Sequence, residues 1–309
     1  MSMKPVQLVV VGSVGLDTIE TATARCEEIL GGSVSYACAA ASFFVPAGMV
    51  GVVGSDFPAA HTALYGKFGI DLKGLKQVEG KTFRWSGVYE TDMNNRRTLS
   101  TELNVFGSFM PELPADYRDT PFLFLANISP ELQLHVLQQV KKPRFVAADT
   151  MDLWINMARE NLMKVIASVD LLTLNESEAR ILTGEHNLMK AARKIMGWGP
   201  EYLIVKKGEH GAMLFSPAGV FVVPAWPLEV VCDPTGAGDT FAGGFMGALA
   251  EQGAIDPIAM RKAMVYGSVV ASFGVEAFSL ERLERLTRGE IEHRFRTFQN
   301  MISLTPADR

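Results

Sequence analysis

Cys232-Asp233-Pro234-Thr235-Gly236-Ala237-Gly238-Asp239 runs directly into Thr240-Phe-Ala-Gly-Gly-Phe245 and a further apolar segment. Gly236, Ala237 and Gly238 leave the backbone open just before Asp239. Phe241, Phe245, Ala248 and Leu249 then recur at i, i+4, i+7 and i+8, the buried stripe of a helix. The stretch therefore reads as a loop feeding a helix N-terminus, where unpaired N–H groups and the helix dipole favour a phosphate or another anion. A carboxylate in that position has two readings. Asp239 is either a first-turn acid that caps the helix, or a general base beside an anion hole. As a base it takes a proton from a substrate hydroxyl while the amides of Gly236, Ala237 and Gly238 stabilise charge on a phosphoryl group.

Outward from this stretch the chain alternates strand and helix patterns. Residues 6–11 form a continuous β-branched run that ends in Gly12-Ser-Val-Gly-Leu-Asp17, and the carboxyl end of a buried parallel strand is where open α/β sheets place ligands. Gly31-Gly32-Ser33 leads into Val34, Ala37, Cys38, Ala41, Phe44 and Val45 at helical spacing, stopped by Pro46. Strand runs at 49–56, 122–126, 145–149, 171–174, 202–206 and 212–215 are interleaved with helical patterns at 131–140, 161–167 and 258–273. That alternation is the mark of a parallel sheet with crossover helices. Two segments break it. Residues 18–30 are polar and suit two short exposed strands. Between 81 and 106, Phe83, Trp85, Gly87 and Tyr89 alternate with polar residues, Asp92-Met-Asn-Asn95 makes a turn, and two-residue alternation resumes from Thr98 to Val105. Together they predict a small sheet with one apolar face, which must cover a substrate, pair with a second copy, or both.

Composition narrows the function classes. The chain has 309 residues, 48% hydrophobic and 20% charged, enough for a sizeable core. A net charge of −5 gives no footprint for nucleic acid or an anionic membrane. The 3 cysteines, Cys26, Cys38 and Cys232, are widely spaced and suggest neither a disulfide framework nor a zinc site, which fits a cytoplasmic protein. The first apolar run is too short for a signal peptide or a membrane span.

Asp-Pro-Thr-Gly-Ala-Gly-Asp followed by a glycine-rich helix start resembles the C-terminal signature of the ribokinase-like, or PfkB-type, carbohydrate and nucleoside kinases, DTxGAGD, with Pro234 where threonine is usual. Gly31-Gly32 resembles the family's first signature, Val53-Gly-Ser-Asp56 its VGxD pattern, and Asn175-Glu-Ser-Glu178 its NxxE element. The resemblance implies ATP as phosphoryl donor and Mg²⁺, and it admits a monovalent cation (K⁺). It assigns Asp239 as base. Asn175, Lys206, Gly208, Gly211, Thr235, Gly236 and Gly238 fall to the nucleotide, with Met264 and Gly267 beside the adenine. Asp17, Gly31, Gly32, Ser35, Tyr36 and Asn104 fall to the acceptor, Asp17 holding two of its hydroxyls. Metal falls to Asn175 and to Glu178 through water, with Asp149 as a further candidate. Tyr36 departs from the asparagine of many sugar kinases. Alone, Asn175-x-x-Glu178 is a helix start with early acids and Gly208-x-x-Gly211 a hairpin turn.

The expected architecture is one α/β domain over residues 1–309, ribokinase-like: an open, mainly parallel sheet flanked by helices, with a β lid from segments 18–32 and 81–106. The expected reaction is γ-phosphoryl transfer from ATP to a small polyol, a sugar first. A nucleoside or inositol acceptor is the alternative, the nucleoside favoured by Tyr36, Phe83, Trp85 and Tyr89. A NAD-dependent oxidoreductase would need Gly-x-Gly-x-x-Gly opening into a helix, which Gly12-x-x-Gly15 does not supply. A non-enzymatic relative would have lost its base. A homodimer through the lid would cover Phe83, Trp85, Tyr89, Leu99 and Leu103.

Overall fold

Alternating apolar residues sort to the two faces of a nine-stranded sheet in the computed structural model, which describes residues 5–303. In chain order the strands are β1 (Leu8–Val11), β2 (Gly15–Glu20), β3 (Arg25–Gly31), β4 (Ala47–Gly54), β5 (Asp71–Val78), β6 (Phe83–Tyr89), β7 (Arg96–Glu102), β8 (Phe122–Leu125), β9 (Phe145–Asp149), β10 (Leu171–Asn175), β11 (Tyr202–Lys206), β12 (Ala212–Ser216) and β13 (Gly219–Val223). The large sheet has the order β13-β12-β11-β10-β9-β8-β1-β4-β5. It is parallel from β11 through to β5, with β12 and β13 added antiparallel. Leu8 and Val10 of β1 face one core and Val9 and Val11 the other, the two-residue period of a strand buried on both sides.

The strand order reverses at β1, whose neighbours β4 and β8 lie on opposite sides, so the crevice beyond its carboxyl end is where such sheets take ligands. Facing that edge is the helix Ala237–Gln252. Residues 240–250 of it are buried without a break, so it is an interior helix rather than an amphipathic one. Its glycines let two other helices approach closely. A Cβ at Gly243 would overlap the backbone of Ala37 in the helix Ser33–Ser42, and one at Gly244 would lie 3.3 Å from Gly267 Cα in the helix Pro257–Gly274.

A second sheet has the order β3-β2-β6-β7. Its outer pairs are antiparallel and its central pair, β2 with β6, is parallel. The expected alternation from Thr98 to Val105 stops early. β7 ends at Glu102 because Asn104 takes a left-handed conformation (φ 48°) and opens a 3₁₀ turn over Asn104–Ser108. β7 is an edge strand with every residue exposed, and Leu99 and Leu103 are 48% and 51% accessible. The buried apolar side chains of this sheet come instead from β2, β3 and β6: Leu16, Ile19, Leu30 and Tyr89. Strands β5 and β13 and the helices Ala59–Lys67 and Leu188–Met196 carry no pattern strong enough to have been expected. No helix among the described residues is long and apolar enough to cross a membrane.

Because the Gly243 contact is with backbone, no rotamer change relieves it. Gly243→Ala should lower the unfolding free energy by about 1–2 kcal/mol, even after the ~1 kcal/mol that alanine gains over glycine in a helix. The check is urea denaturation, and an unchanged midpoint would mean that these two helices are not in contact at that point.

Candidate active site

The loop that reads as an anion site has the required geometry, with one change of donor. Gly236 caps the helix in the left-handed conformation (φ 72°), and its own Cβ position is filled by the Tyr36 ring, so glycine is demanded twice. Ala237 N–H donates to Pro234 O at 3.2 Å and closes the turn. The expected three-amide hole therefore loses Ala237. Among the described residues the N–H groups of Gly236 and Gly238 have no acceptor and remain for a ligand.

Asp239 occupies the first turn of the same helix. A helix N-terminus favours the charged carboxylate by about 0.3–1 kcal/mol. Here burial, with the nearby Asp149 charge, outweighs that effect and the opposing charges of Lys206 and Arg96, and pushes Asp239 up to about 7. A carboxylate poised near neutrality is suited to taking a proton from an alcohol.

Three neighbouring strands end in a row of polar side chains. Asp149, Asn175 and Lys206 are the last residues of β9, β10 and β11, with Asn175 paired to Lys206 in register. Lys206 Nζ donates to Asp149 Oδ2 at 2.7 Å, and a Cβ at Gly238 would lie 3.2 Å from the same nitrogen. Burial presses the Lys206 ammonium down, but the charges of Asp149, Glu178 and Asp239 prevail and hold it above its ordinary value. It is a fixed cation beside the anion loop.

Asn175 and Glu178 form a capping box at the helix Glu176–Thr183. Glu178 N–H donates to Asn175 Oδ1 at 2.8 Å, and Asn175 N–H donates to Glu178 Oε2 at 2.7 Å. The cap leaves Glu178 Oε1 without a hydrogen bond among the described residues. Burial pushes Glu178 up to about 7, with Lys206 opposing and Asp149 adding to the rise. No group of three or more His, Cys, Asp or Glu side chains among the described residues is arranged to hold a metal directly. A water-clad Mg²⁺, which takes few protein carboxylates, would find Glu178 Oε1 with the Asp149 charge nearby.

On the acceptor side, Asp17 in β2 is 4% exposed and lies against the Gly31 backbone, where a Cβ would overlap its carboxylate; Gly32 N–H donates to it. Burial, then the charges of Asp233 and Asp239, push Asp17 up to about 7. Gly31 and Gly32 thus cradle Asp17. Tyr36 is 3% exposed, and burial followed by the Asp233 and Asp17 charges holds its phenol well above the usual range.

Four expected site residues do other work. Ser35 Oγ donates to Gly31 O and shares a 2.7 Å hydrogen bond with Tyr65 Oη, which leaves it no proton to donate to a substrate. Asn104 is exposed and donates to Thr82 O at 2.9 Å, locking the turn after β7. Met264 and Gly267 are buried where helices cross, Gly267 against Phe241 O, so neither lines an open adenine surface. The turn at Gly208 and Gly211 is closed on itself, with Lys207 N–H on Gly211 O and Gly211 N–H on Gly208 O. Both glycines have positive φ.

The small sheet meets this site at two points that sequence reasoning missed. Thr235 Oγ1 donates to Tyr89 Oη at 3.1 Å, tying β6 to the anion loop. Asn94 Nδ2 donates to Glu209 Oε1 at 3.1 Å, tying the β6–β7 turn to the Gly208 turn. Arg96, opposite Tyr89 in the ladder, adds positive charge felt by both Asp17 and Asp239. Its one sequence signal was a basic pair directly after the hairpin turn of an acidic chain.

A buried carboxylate poised near neutrality, beside free helix-terminal amides and a fixed lysine, is the arrangement of a phosphotransferase acting on a hydroxyl group. The chain belongs to the family described as pfkB family carbohydrate kinase, whose sequence model matches residues 7–281. It is 30% identical over 246 residues to the cytidine kinase of Thermococcus kodakarensis, covering 77% of this chain and 87% of that one. Ribokinase from Giardia lamblia superimposes with a TM-score of 0.81 at 19% identity, over 96% of this chain and all of the other. A putative ribokinase II from E. coli, solved with ATP and Mg²⁺, gives 0.78 at 18% identity over 94% and 99%.

The raised carboxylates set a pH dependence. The folded protein holds protons on Asp17, Asp239 and Glu178 that the unfolded chain, with carboxyls near 4, has already released. Stability from these groups is therefore greatest below about pH 4 and is lost as pH rises to about 7. Asp17→Asn should remove its share, making the free protein more stable than the parent by about 1 kcal/mol or more near pH 8, with little difference near pH 4. Urea unfolding at the two pH values is the measurement, and a difference that does not grow with pH excludes Asp17 from the set.

Proposed function

We propose that this protein transfers the γ-phosphoryl group of ATP to a hydroxyl of a ribose-bearing acceptor, a pyrimidine ribonucleoside first. The observation that carries the chemistry is Asp239, poised near neutrality beside the free amides of Gly236 and Gly238. Asp239 takes the acceptor's proton, the two amides and Lys206 hold the phosphoryl oxygens, and Asp17 orients the acceptor by its hydroxyls. Glu178 Oε1 and Asp149 would hold Mg²⁺ through its waters, and the ion when bound would neutralise phosphate charge. The Tyr89 and Asn94 contacts keep the small sheet over the site as a lid, which excludes water as a competing acceptor.

The nucleoside preference is supported by the cytidine kinase relative and by the aromatic side chains of Tyr36 and Tyr89 near Asp17 and Asp233. A free sugar is the second reading, favoured by buried carboxylate oxygens on Asp17 and Asp233 that lack partners and suit a polyol.

ATP consumption and mass spectrometry of products over nucleosides, pentoses, hexoses and inositols test the acceptor class. Cytidine or uridine is expected to turn over with the highest kcat/KM, and a hexose preferred over every nucleoside would overturn the assignment. Asp239→Asn should lower kcat by about 10²-fold or more with ATP affinity retained, and near-normal turnover would remove it from the mechanism. Glu178→Gln should raise the Mg²⁺ concentration needed for half-maximal rate; a superimposable magnesium titration would leave the residue as a helix cap alone.

A further inference from the structure

Three buried polar atoms near the anion loop have no hydrogen-bond partner among the described residues: Tyr36 Oη, Asp17 Oδ1 and Asp233 Oδ2. Leaving a buried polar atom unpaired costs about 1–3 kcal/mol, so three such atoms together are not a packing economy. Electrostatics groups them, since Asp233 and Asp17 are the two charges felt most strongly by the Tyr36 phenol. The other halves of the two carboxylates are occupied. Asp233 Oδ1 accepts from Thr235 N–H at 2.8 Å, and the Asp17 carboxylate accepts from Gly32 N–H. Each carboxylate is thus anchored by one bond and has one oxygen left over.

Tyr36 is fixed by shape. Its ring fills the space that a side chain at Gly236 would take, which holds it against the anion loop, and its phenol feels the charges of Asp233 and Asp17. Once ionised, as Asp17 is above about pH 7, a carboxylate only accepts, whereas a phenol above its usual range stays protonated and can donate. The vacant set therefore offers two acceptors and one donor. A ligand that completes it brings two hydroxyls that donate and one oxygen that accepts, which is the pattern of a polyol and not of a bare base or an alkyl alcohol.

Resting on the kinase reading above, we propose that Tyr36 is a specificity-determining residue whose hydroxyl donates to a sugar oxygen of the acceptor while sugar hydroxyls donate to Asp17 and Asp233. Specificity for the fully hydroxylated sugar follows, because an analogue lacking one hydroxyl leaves a buried polar atom unpaired.

The test uses the full chain and Tyr36→Phe, which keeps the ring on Gly236 and deletes only the hydroxyl. The probes are cytidine, 2′-deoxycytidine, ribose and 2-deoxyribose. Since the hydroxyl has no partner in the free protein, Tyr36→Phe is expected to have a Tm equal to or above the parent's without ligand. KM for the phosphorylated acceptor should rise about tenfold, the effect of one neutral hydrogen bond, with KM for ATP unchanged. The preference for the ribo over the deoxyribo acceptor should narrow by a similar factor. An unchanged acceptor KM overturns the proposal. So does a lowered ligand-free Tm with discrimination intact, which makes the hydroxyl structural. A changed K⁺ titration with acceptor KM intact overturns it too, and gives Asp233 and Tyr36 to a monovalent cation. If the parent phosphorylates none of the probes, the kinase assignment of these acceptors fails. Tyr36 is then judged on thermal shifts: a shift by cytidine or ribose in the parent that is lost in Tyr36→Phe supports the proposal, and equal shifts, or none, overturn it.

Discussion

The site depends on one packing constraint: an interior helix made of small residues, held between two others with its N-terminus at the end of the sheet. Gly243 lies on the Ala37 backbone, Gly247 2.8 Å from Ala41 Cα in terms of a would-be Cβ, and Gly244 on Gly267. Backbone-to-backbone contact leaves little freedom to slide, because any shift must move whole helices through a core packed at crystal-like density. The Gly236 and Gly238 amides and the Asp239 carboxylate are therefore fixed by the core, far more stiffly than a surface loop could hold them. That is the preorganisation electrostatic catalysis requires. The same helix pair explains why Met264 and Gly267 are unavailable to a ligand: they are part of the clamp.

Charge is the second constraint. Asp17, Asp149, Glu178, Asp233 and Asp239 converge on the crevice, and Lys206 is bonded to one of them. Such a set is a poor place for a polyanion unless some of the carboxylates carry protons. Burial provides this, lifting Asp17, Glu178 and Asp239 to about 7. They interact, so they titrate as a set and not as three independent acids. Arg96 adds a cation from the small sheet that softens both Asp17 and Asp239. The free protein is thereby less stable at neutral pH than its core would allow, a local conflict of the kind that functional sites carry.

Much of this was legible in the sequence where the signal was local. The helix at 237 followed from glycines before an apolar stripe, and strands β8 to β11 from runs of about strand length. The capping box at Asn175 followed from residue types alone, because both partners lie within one turn. What was not legible is long-range. Nothing near Ser35 announces Tyr65, whose hydroxyl takes up the serine, and nothing near Gly236 announces the Tyr36 ring. β7 was overextended because alternation predicts a strand without saying whether a second layer will cover it, and Asn104 turned the chain. Ala237 was counted as a free donor because a sequence does not show which amide closes the turn.

The small sheet is hydrogen-bonded to two loops around the crevice. Tyr89 at the end of β6 reaches Thr235 in the anion loop, while Asn94, five residues further on in the hairpin turn, reaches Glu209 beside Gly208. Each hydrogen bond is worth only about 0.5–1.5 kcal/mol net, and the two add to the burial of Leu16 and Leu30, which seat the same sheet in the main core. Asp17 belongs to β2 of this same sheet, and its carboxylate is seated on Gly31 at the other end of β3. Asp17 is therefore held where the small sheet packs into the core, beside Leu16 and Leu30, while Asn94 lies on its exposed hairpin turn.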